Sequence, residues 1–388
     1  MLSPPEMLVR LCARRSLSAD HVGELVALGR ALDRSGWEHV IAIAVVNGLI
    51  PLVYWHTAHA ELTGTMPQAV ASDLLAGYRH SFVTNRHLQA IQSRVLAALA
   101  ASGIEAVPVK GASLAYRYYG DPALRPANDV DILVRRRDWA RADRALRGLG
   151  FRPLPGAESP RYFDTLVLAT TAYESAPNGA RLELHWELPH HPAYRHGLEL
   201  GGVFSRARII PIDGQMIRCL DPEDELRYLA VHCTADHGVG RLIWLVDIAE
   251  IARALPPDWK WADFVSGTVA AGMATPVLVA LAHCQASLGL EVPQDVFSAL
   301  AAAARSTREA RAFATNRADY FGPVGLRLHL DALTDPLSRA LFLWHVLRPQ
   351  RWLLGKLYGS GHRRYRLPWT YLRHVARMLW FSVRPDRA

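Results

Sequence analysis

The chain has 388 residues, enough for two or three domains, and half of them are hydrophobic, so it can bury a large core. Charged residues make up 21% of the chain, which is typical of a folded soluble protein and excludes a disordered one. The net charge is +8. The apolar run 40–55 is too short and too interrupted to span a bilayer, and residues 1–20 do not resemble a signal peptide. With four isolated cysteines, these features predict a cytoplasmic protein.

Residues 1–103 are predicted to be helical. A break is expected at 48–51, and the longest helix, 74–101, repeats apolar residues every three or four positions and ends at Gly103. His56 and His59 have the spacing of a metal-ligand pair on a helix. No cysteine or acid that could complete such a site is evident nearby, so both histidines are expected to be solvated.

The segment 107–134 is predicted to form a strand, a tight turn, a short helix and a second strand. Val107 and Val109 precede Gly111, which favours a strand that ends in a glycine turn. A helix from Ala112 onward would place the backbone N–H groups of Gly111, Ala112 and Ser113 at its N-terminus. Unpaired donors and the positive end of the helix dipole converge there, so the turn is predicted to bind an anion.

Two aspartates lie on the second strand of this segment, within the run 128–134. Asp129 and Asp131 alternate with apolar residues and therefore share one face. Carboxylates side by side next to a phosphate-binding turn repel each other unless a hard cation lies between them, which favours magnesium with a nucleoside triphosphate. The other interpretation is a pair of solvated surface acids, because an acid-x-acid triplet is a weak motif by itself.

A third carboxylate is expected on a strand further along the chain. Residues 163–174 are rich in β-forming residues, 177–179 read Pro-Asn-Gly, and 181–188 alternate like the return strand of a hairpin. On that strand Glu183, His185 and Glu187 point one way and the apolar residues point the other. An edge strand with one solvated face would give the same alternation, so Glu183 is either part of the site or a surface acid.

The run KGASLAYRYYGDPALRPANDVDILV, from Lys110 to Val134, resembles the signature of the polymerase-beta-like nucleotidyltransferase superfamily, a glycine turn followed by Asp-x-Asp. The Lys-Gly start and the Arg-Pro approach resemble its branch of largely uncharacterised bacterial nucleotidyltransferases. That branch also has an acidic-x-His-Trp strand, similar to residues 183–186, and a later helical region with His and Trp-x-x-Asp. The resemblance covers roughly residues 20–255, and the positions similar to the later helical motif are His232, His237, Trp244 and Asp247.

The resemblance implies transfer of a nucleoside monophosphate from a triphosphate, with ATP expected, to an unidentified small-molecule, peptide or protein acceptor, with release of pyrophosphate. It implies that the catalytic acids hold two Mg²⁺ ions, with Mn²⁺ as a substitute. These acids are Asp129, Asp131 and Glu183. The phosphates are expected to contact the turn and two nearby cations, namely Lys110, Gly111, Ala112, Ser113 and Arg125. The candidates for supporting or acceptor-binding residues are His185, His232 and Asp247.

Residues 221–346 are predicted to return to helix. Asp221-Pro222 followed by acids is a strong helix N-terminal signal, and the acids of the first turn, including Glu223 and Glu225, fit the dipole. His232, Asp236 and Asp247 are polar residues within apolar helical faces. They form either a buried hydrogen-bonded set or part of the acceptor pocket.

The tail, residues 347–388, concentrates the positive charge of the chain. Residues 348–388 contain nine arginines and one lysine against one acid, with several aromatic residues between them. The tail either packs on the core through its aromatics, or binds nucleic acid, or lies on an anionic membrane. The nucleic-acid and membrane interpretations are not favoured over packing on the core.

The predicted fold is α+β, with a small mixed sheet flanked by N-terminal and C-terminal helical regions. Four regions are expected: 1–103 helical, 104–220 the nucleotidyltransferase core, 221–346 helical, and the tail 347–388. Two other functions are consistent with the sequence. One is an RNA-directed nucleotidyltransferase that uses the basic tail, and the other is a non-catalytic, antitoxin-like nucleotide-binding module. The sequence does not identify the nucleotide, the acceptor or the oligomeric state.

Overall fold

The structure is a computed structural model of the 388-residue chain. It describes residues 2–154, 169–175, 179–189, 191, 193–304, 313, 330–331, 333, 335–348, 354, 358 and 367–383. The predicted strand residues 163–168, residues 177 and 178 of the predicted turn, and much of the tail lie outside the described residues.

The N-terminal region is helical, as predicted. Its helices are α1 (Pro4–Cys12), α2 (Ala19–Ala31), α3 (Arg34–Asn47), α4 (Ile50–His59) and α5 (Gln68–Ala101). The break at 48–51 occurs where Gly48 adopts a left-handed conformation and ends α3. His59 is exposed, as predicted, but the prediction for His56 is wrong. Its ring is buried, and Nε2 donates to the Arg14 carbonyl at 2.7 Å, so this histidine is a satisfied core residue.

A mixed five-stranded sheet follows. The strands and intervening helices are β1 (Ala106–Pro108), α6 (Gly111–Tyr118), β2 (Asp129–Val134), α7 (Trp139–Gly148), β3 (Phe151–Pro153), β4 (Thr170–Ser175) and β5 (Arg181–His185). Their order in the sheet is β1-β2-β5-β4-β3. β2 and β5 are parallel and the other pairs are antiparallel, including the predicted hairpin of β4 and β5.

One face of the sheet packs against α5 and α7. The apolar stripe of α5 meets the apolar residues of β2 and β5, and Ala142 and Leu146 of α7 complete this core. The α5 residues that contribute are Leu88, Ile91, Val95 and Leu99. Because side chains alternate along a strand, burying Val130, Ile132 and Leu182 on this face turns their polar neighbours to the opposite face. Packing of α5 and α7 therefore positions the acidic residues.

A second, two-stranded sheet was not predicted. After α8 (Leu200–Arg206), the strands β6 (Arg208–Ile212) and β7 (Gln215–Cys219) form a hairpin. Its two-residue turn is Asp213-Gly214, and both residues have positive φ. Asp-Gly is a preferred pair for such turns, so the sequence did contain a signal for this hairpin.

The remaining described elements are helices. They are α9 (Pro222–Val231), α10 (Leu242–Arg253), α11 (Trp261–Ala270), α12 (Ala274–Leu288), α13 (Gln294–Ala303), α14 (Pro336–Leu347) and α15 (Leu367–Val383). Asp221 caps α9 as predicted, by accepting a hydrogen bond from the backbone N–H of Glu223. Within the described part of the chain, no helix combines the length and the apolar character that a membrane span requires.

The predicted fold class is confirmed: a small mixed sheet lies between helical regions. The four cysteines are free and buried, as expected for reduced core residues. The division into four regions stays a prediction.

Candidate active site

The turn between β1 and α6 has an unusual backbone conformation. Lys110 and Gly111 have φ angles of 58° and 50°, in the left-handed region. A Cβ atom on residue 111 would lie 3.2 Å from the Asp129 carbonyl oxygen, so the turn runs against the start of β2. Both the conformation and the close approach favour glycine at this position.

Helix α6 begins directly at this turn, and its N-terminus has no side-chain cap. Gly111, Ala112 and Ser113 are all buried. The Ser113 hydroxyl is 1% exposed and has no oxygen or nitrogen hydrogen-bond partner among the described residues. The predicted geometry of strand, glycine turn and helix is therefore present, while contact of these three residues with phosphate stays a prediction.

Asp131, Glu183 and His185 come together on the face of the sheet opposite α5 and α7. Asp131 of β2 lies directly across from Glu183 of the parallel strand β5, and His185 is two residues further along β5. One ligand atom from each residue lies within 4.8 Å of the others. His185 Nε2 is 2.8 Å from Asp131 Oδ1 and 3.6 Å from Glu183 Oε2. Among the described residues, this is the group of three acids or histidines that could hold a metal ion.

Asp129 lies on the same strand, two residues before Asp131, and is half-buried. Burial, together with the negative charges of Asp131 and Glu183, raises the pKa of its carboxyl to about 6. Lys110 and Arg125 oppose this shift but do not cancel it. Asp129 is not one of the three residues whose ligand atoms converge, but the charges of Asp131 and Glu183 affect its pKa.

Lys110 lies over the acidic cluster, with Nζ 3.1 Å from Asp131 Oδ1. Burial by itself would lower the pKa of this amine, but the charges of Asp131, Glu183 and Asp129 hold it well above the ordinary value. Burial likewise disfavours ionised Asp131, yet Lys110 and His185 outweigh it and hold the Asp131 pKa well below its usual range. Asp131 is therefore buried and ionised, and it is paired with the part-buried Lys110 ammonium.

Arg125 was predicted to bind phosphate, but its guanidinium is already paired with a carboxylate. Its guanidinium makes a two-pronged contact with Asp247 of α10, with Nη2 2.7 Å and Nε 3.1 Å from the two carboxylate oxygens. The Tyr119 hydroxyl donates to the same carboxylate at 2.7 Å. All three groups are buried. Asp247 therefore belongs to a hydrogen-bonded set, and the predicted contact of Arg125 with pyrophosphate stays a prediction.

A second polar group near Lys110 lies in the helical region. The buried Tyr228 hydroxyl and the Asp236 carboxylate are both within electrostatic reach of Lys110. Burial raises the pKa of Asp236 to about 7, although Lys110 opposes this shift. His232 Nδ1 is 3.7 Å from Asp236 Oδ2. Sequence reasoning named His232 and Asp236 but missed Tyr228, one helical turn before His232, whose spacing was the available signal.

The segment 232–236 is a single turn of π-helix, a form that occurs often at functional sites. Beyond it, the His237 ring stacks on Trp244 with a centroid distance of 4.5 Å, and His232 meets His237 edge-on at 4.6 Å. The residues of the predicted helical motif therefore have two different sets of partners. His232, His237 and Trp244 form one cluster, and Asp247 lies in the other, with Arg125.

A family model described as "Uncharacterised nucleotidyltransferase" matches residues 33–289, about two thirds of the chain. The chain belongs to this family. The uncharacterised nucleotidyltransferase match extends from α3 to the end of α12 and includes every residue of the candidate site.

One solved structure similar to this uncharacterised nucleotidyltransferase is the crystal structure of an antigenic nucleotidyltransferase-like protein from Paracoccidioides brasiliensis. It shares 19% sequence identity, with 58% of this chain and 94% of that chain covered and a TM-score of 0.34. No curated protein matches the chain.

Proposed function

We propose that this protein transfers a nucleoside monophosphate from a nucleoside triphosphate, with ATP expected, to an acceptor, and releases pyrophosphate. The observation that carries the proposal is the meeting of Asp131 and Glu183 across two parallel strands, next to the uncapped glycine turn at the start of α6. Membership in a nucleotidyltransferase family supports the reaction class. The relation to the polymerase-beta-like superfamily, and to its bacterial branch, is part of the proposal.

The residues of the site fit a hard divalent cation. Asp129, Asp131 and Glu183 would supply carboxylate oxygens, the ligands that Mg²⁺ prefers, and Mn²⁺ would fit the same donors. Burial is the main cause of the raised pKa of Asp129, and the charges of Asp131 and Glu183 add to it, so a cation bound there would favour the ionised carboxylate. Two ions bound there would neutralise the triphosphate and activate the acceptor oxygen.

His185 supports the site in a different way. It is fully buried, and its Nε2–H is placed to donate to Asp131 at 2.8 Å, which fixes the orientation of that carboxylate. We therefore assign His185 a positioning role, and not that of a preferred magnesium ligand, because imidazole is a poorer ligand than carboxylate for magnesium.

The chain would bind the triphosphate at the start of α6. The backbone N–H groups of Gly111, Ala112 and Ser113 would donate to the phosphate oxygens, and Lys110 would neutralise the pyrophosphate as it leaves. The acceptor oxygen would attack the α-phosphorus, and the bond from that phosphorus to the bridging oxygen would break. Glu183, which is part-exposed, would take the proton of the acceptor.

The proposal can be tested with nucleoside triphosphates that are labelled on either the α- or the γ-phosphate. Each of the four triphosphates is incubated with the full chain, magnesium and a cell extract, and the labelled products are identified. An α-phosphate label should move to the acceptor, whereas a γ-phosphate label should appear only in pyrophosphate. Asp131→Asn and Glu183→Gln should abolish the transfer. The matched control is Glu174→Gln, an exposed glutamate on the neighbouring strand β4, which should retain it.

Other results would contradict the proposal or favour another function. Transfer of the γ-label to the acceptor would make the protein a kinase and overturn the proposal. Unchanged transfer in both active-site variants would show that the reaction takes place at a different site. Tight nucleotide binding without transfer in any extract would favour the non-catalytic module, and a labelled RNA product that requires the tail would favour the RNA-directed enzyme.

A further inference from the structure

Helix α14 exposes an apolar stripe although its other side is buried. Leu337, Trp344 and Leu347 recur every three to seven residues, and their side chains are 66%, 57% and 37% exposed. Phe342 and Val346, on the opposite side of the helix, are buried. A helix that is packed on one side and apolar on the other has a second surface to cover.

Helix α15 repeats this arrangement and is joined to α14. Trp369 and Leu372 are 74% and 60% exposed, at a spacing of three residues. His374, on the other side of the helix, is buried, and its Nε2–H donates to the Val346 carbonyl of α14 at 2.6 Å. The two helices are thus one structural unit, the C-terminal helix pair, formed by residues 336–347 and 367–383.

The charged residues between Pro336 and Pro385 are all cationic, and the acids next to this segment are Asp335, which caps α14, and Asp386. From Pro336 to Pro385 there are nine arginines, one lysine and no aspartate or glutamate, so the rest of the chain carries a charge of −2. The described arginines of the two helices and their flanks are exposed. They are Arg339, Arg348, Arg373 and Arg377.

We propose that the C-terminal helix pair binds the surface of an anionic membrane. Tryptophans at a bilayer interface, leucines in the outer part of the acyl region and arginines on lipid phosphates would together account for the exposed apolar and cationic side chains named above. The proposal is independent of nucleotidyl transfer, since it involves none of the residues of the candidate active site.

Two other occupants fit the pair less well. A second copy of the chain would bury two strongly basic surfaces against each other, because a twofold interface uses the same surface on both subunits and the cations of this segment far outnumber its flanking acids. A nucleic acid would pair with the arginines and stack on Trp344 and Trp369, but the exposed leucines would remain in water. An anionic bilayer satisfies both the charge and the aliphatic surface.

The test is co-sedimentation of the full-length protein with vesicles of phosphatidylcholine alone or with about one third phosphatidylglycerol. Binding should require the anionic lipid and decrease in high salt. The double variant Trp344→Ser/Trp369→Ser should lower partitioning at least 10-fold, since each tryptophan would bury a large apolar side chain in the bilayer. Arg339→Gln/Arg373→Gln should lower it about 25-fold, about 5-fold for each charge.

The matched control is Phe82→Ser/Val83→Ser on α5, which removes exposed apolar side chains of 44% and 66% exposure from another part of the molecule. Its partitioning should equal that of the unmodified chain. Circular dichroism checks the fold of each variant, and if the double tryptophan variant unfolds, Trp369→Ser alone replaces it because that side chain is the more exposed.

Several results would overturn the proposal. These are equal binding to neutral and anionic vesicles, binding that survives both pairs of substitutions, or no binding to either vesicle. Salt-sensitive binding of labelled RNA without vesicle binding would assign the pair to nucleic acid. A dimer that dissociates on Trp344→Ser, again without vesicle binding, would assign it to a second copy.

Discussion

Replacing either aspartate of β2 with asparagine should change the stability of the metal-free protein, but in opposite directions. The pKa of Asp129 is raised from 3.8 to about 6, so its ionised form is disfavoured in the folded state. The resulting loss of folding stability is absent below pH 3.8, where Asp129 is protonated in both the folded and the unfolded chain. It grows as pH rises because Asp129 ionises first in the unfolded chain, and it is complete above pH 6. A shift of about two pKa units corresponds to roughly 3 kcal/mol. Asp129→Asn should therefore raise the free energy of unfolding by up to this amount at neutral pH.

Asp131→Asn should have the opposite effect on stability, because the charge of Asp131 is paired in the folded protein. Its carboxylate contacts Lys110 at 3.1 Å and His185 at 2.8 Å, and these partners hold its pKa below the usual range. Asp131→Asn would leave the part-buried Lys110 ammonium without this carboxylate partner. Removing one partner of a buried ion pair costs about 3–5 kcal/mol, so this variant should be destabilised by a similar amount.

Urea denaturation at neutral pH, with EDTA and then with magnesium, measures both effects. Magnesium should stabilise the unmodified protein and have little effect on Asp129→Asn, if Asp129 is a ligand. Asp73→Asn, an exposed aspartate on α5, is the control and should change the unfolding free energy by less than about 0.5 kcal/mol. The reasoning fails if both β2 variants shift the same way, or if magnesium stabilises Asp129→Asn as much as the unmodified protein.

Three further predictions follow from the surrounding residues. Gly111→Ala should lower ATP affinity, measured by calorimetry, because φ is +50° and the new Cβ would lie 3.2 Å from a carbonyl oxygen; equal affinity would place the phosphates elsewhere. Asp247→Asn should destabilise the fold by about 3–5 kcal/mol in urea, since it leaves Arg125 buried and without its paired carboxylate. Asp236, with a pKa of about 7, costs stability as pH rises from 3.8 to 7, so Asp236→Asn should gain about 2–3 kcal/mol over the unmodified chain between pH 5 and pH 8. A pH-independent difference between the two would show that Asp236 is not buried as a neutral acid.

Local signals in the sequence predicted much of the architecture. The strand predicted at 128–134 is observed as Asp129–Val134, because β-branched residues that alternate with acids fit a strand with one buried face. Asp221-Pro222 gave the start of α9 for a similar reason, since a helix cap depends only on neighbouring residues. The Asp213-Gly214 turn is an equally local signal, although the hairpin it forms was not predicted.

Contacts between distant residues were beyond the reach of the sequence. Nothing near Arg125 indicates that its partner is Asp247, 122 residues away, so it was predicted as a phosphate ligand. The register that sets Asp131 across from Glu183 likewise depends on which strand β5 joins, and a pattern of alternation cannot specify that. The two aspartates of β2 look equivalent in sequence, and only their different neighbours in space separate them.

The buried ion pairs that connect the sheet region to the later helices limit how this protein can be divided. Arg117 of α6 contacts Glu225 of α9 at 2.6 Å, and Arg125 is held by Asp247 of α10. A fragment that ends near residue 220 would keep both guanidiniums and lose both carboxylates. Such a fragment would expose unmatched charges where the helices had packed, so the sheet region is not a module that recombination could transfer to another chain by itself. The helices after residue 221 would have to be inherited with it.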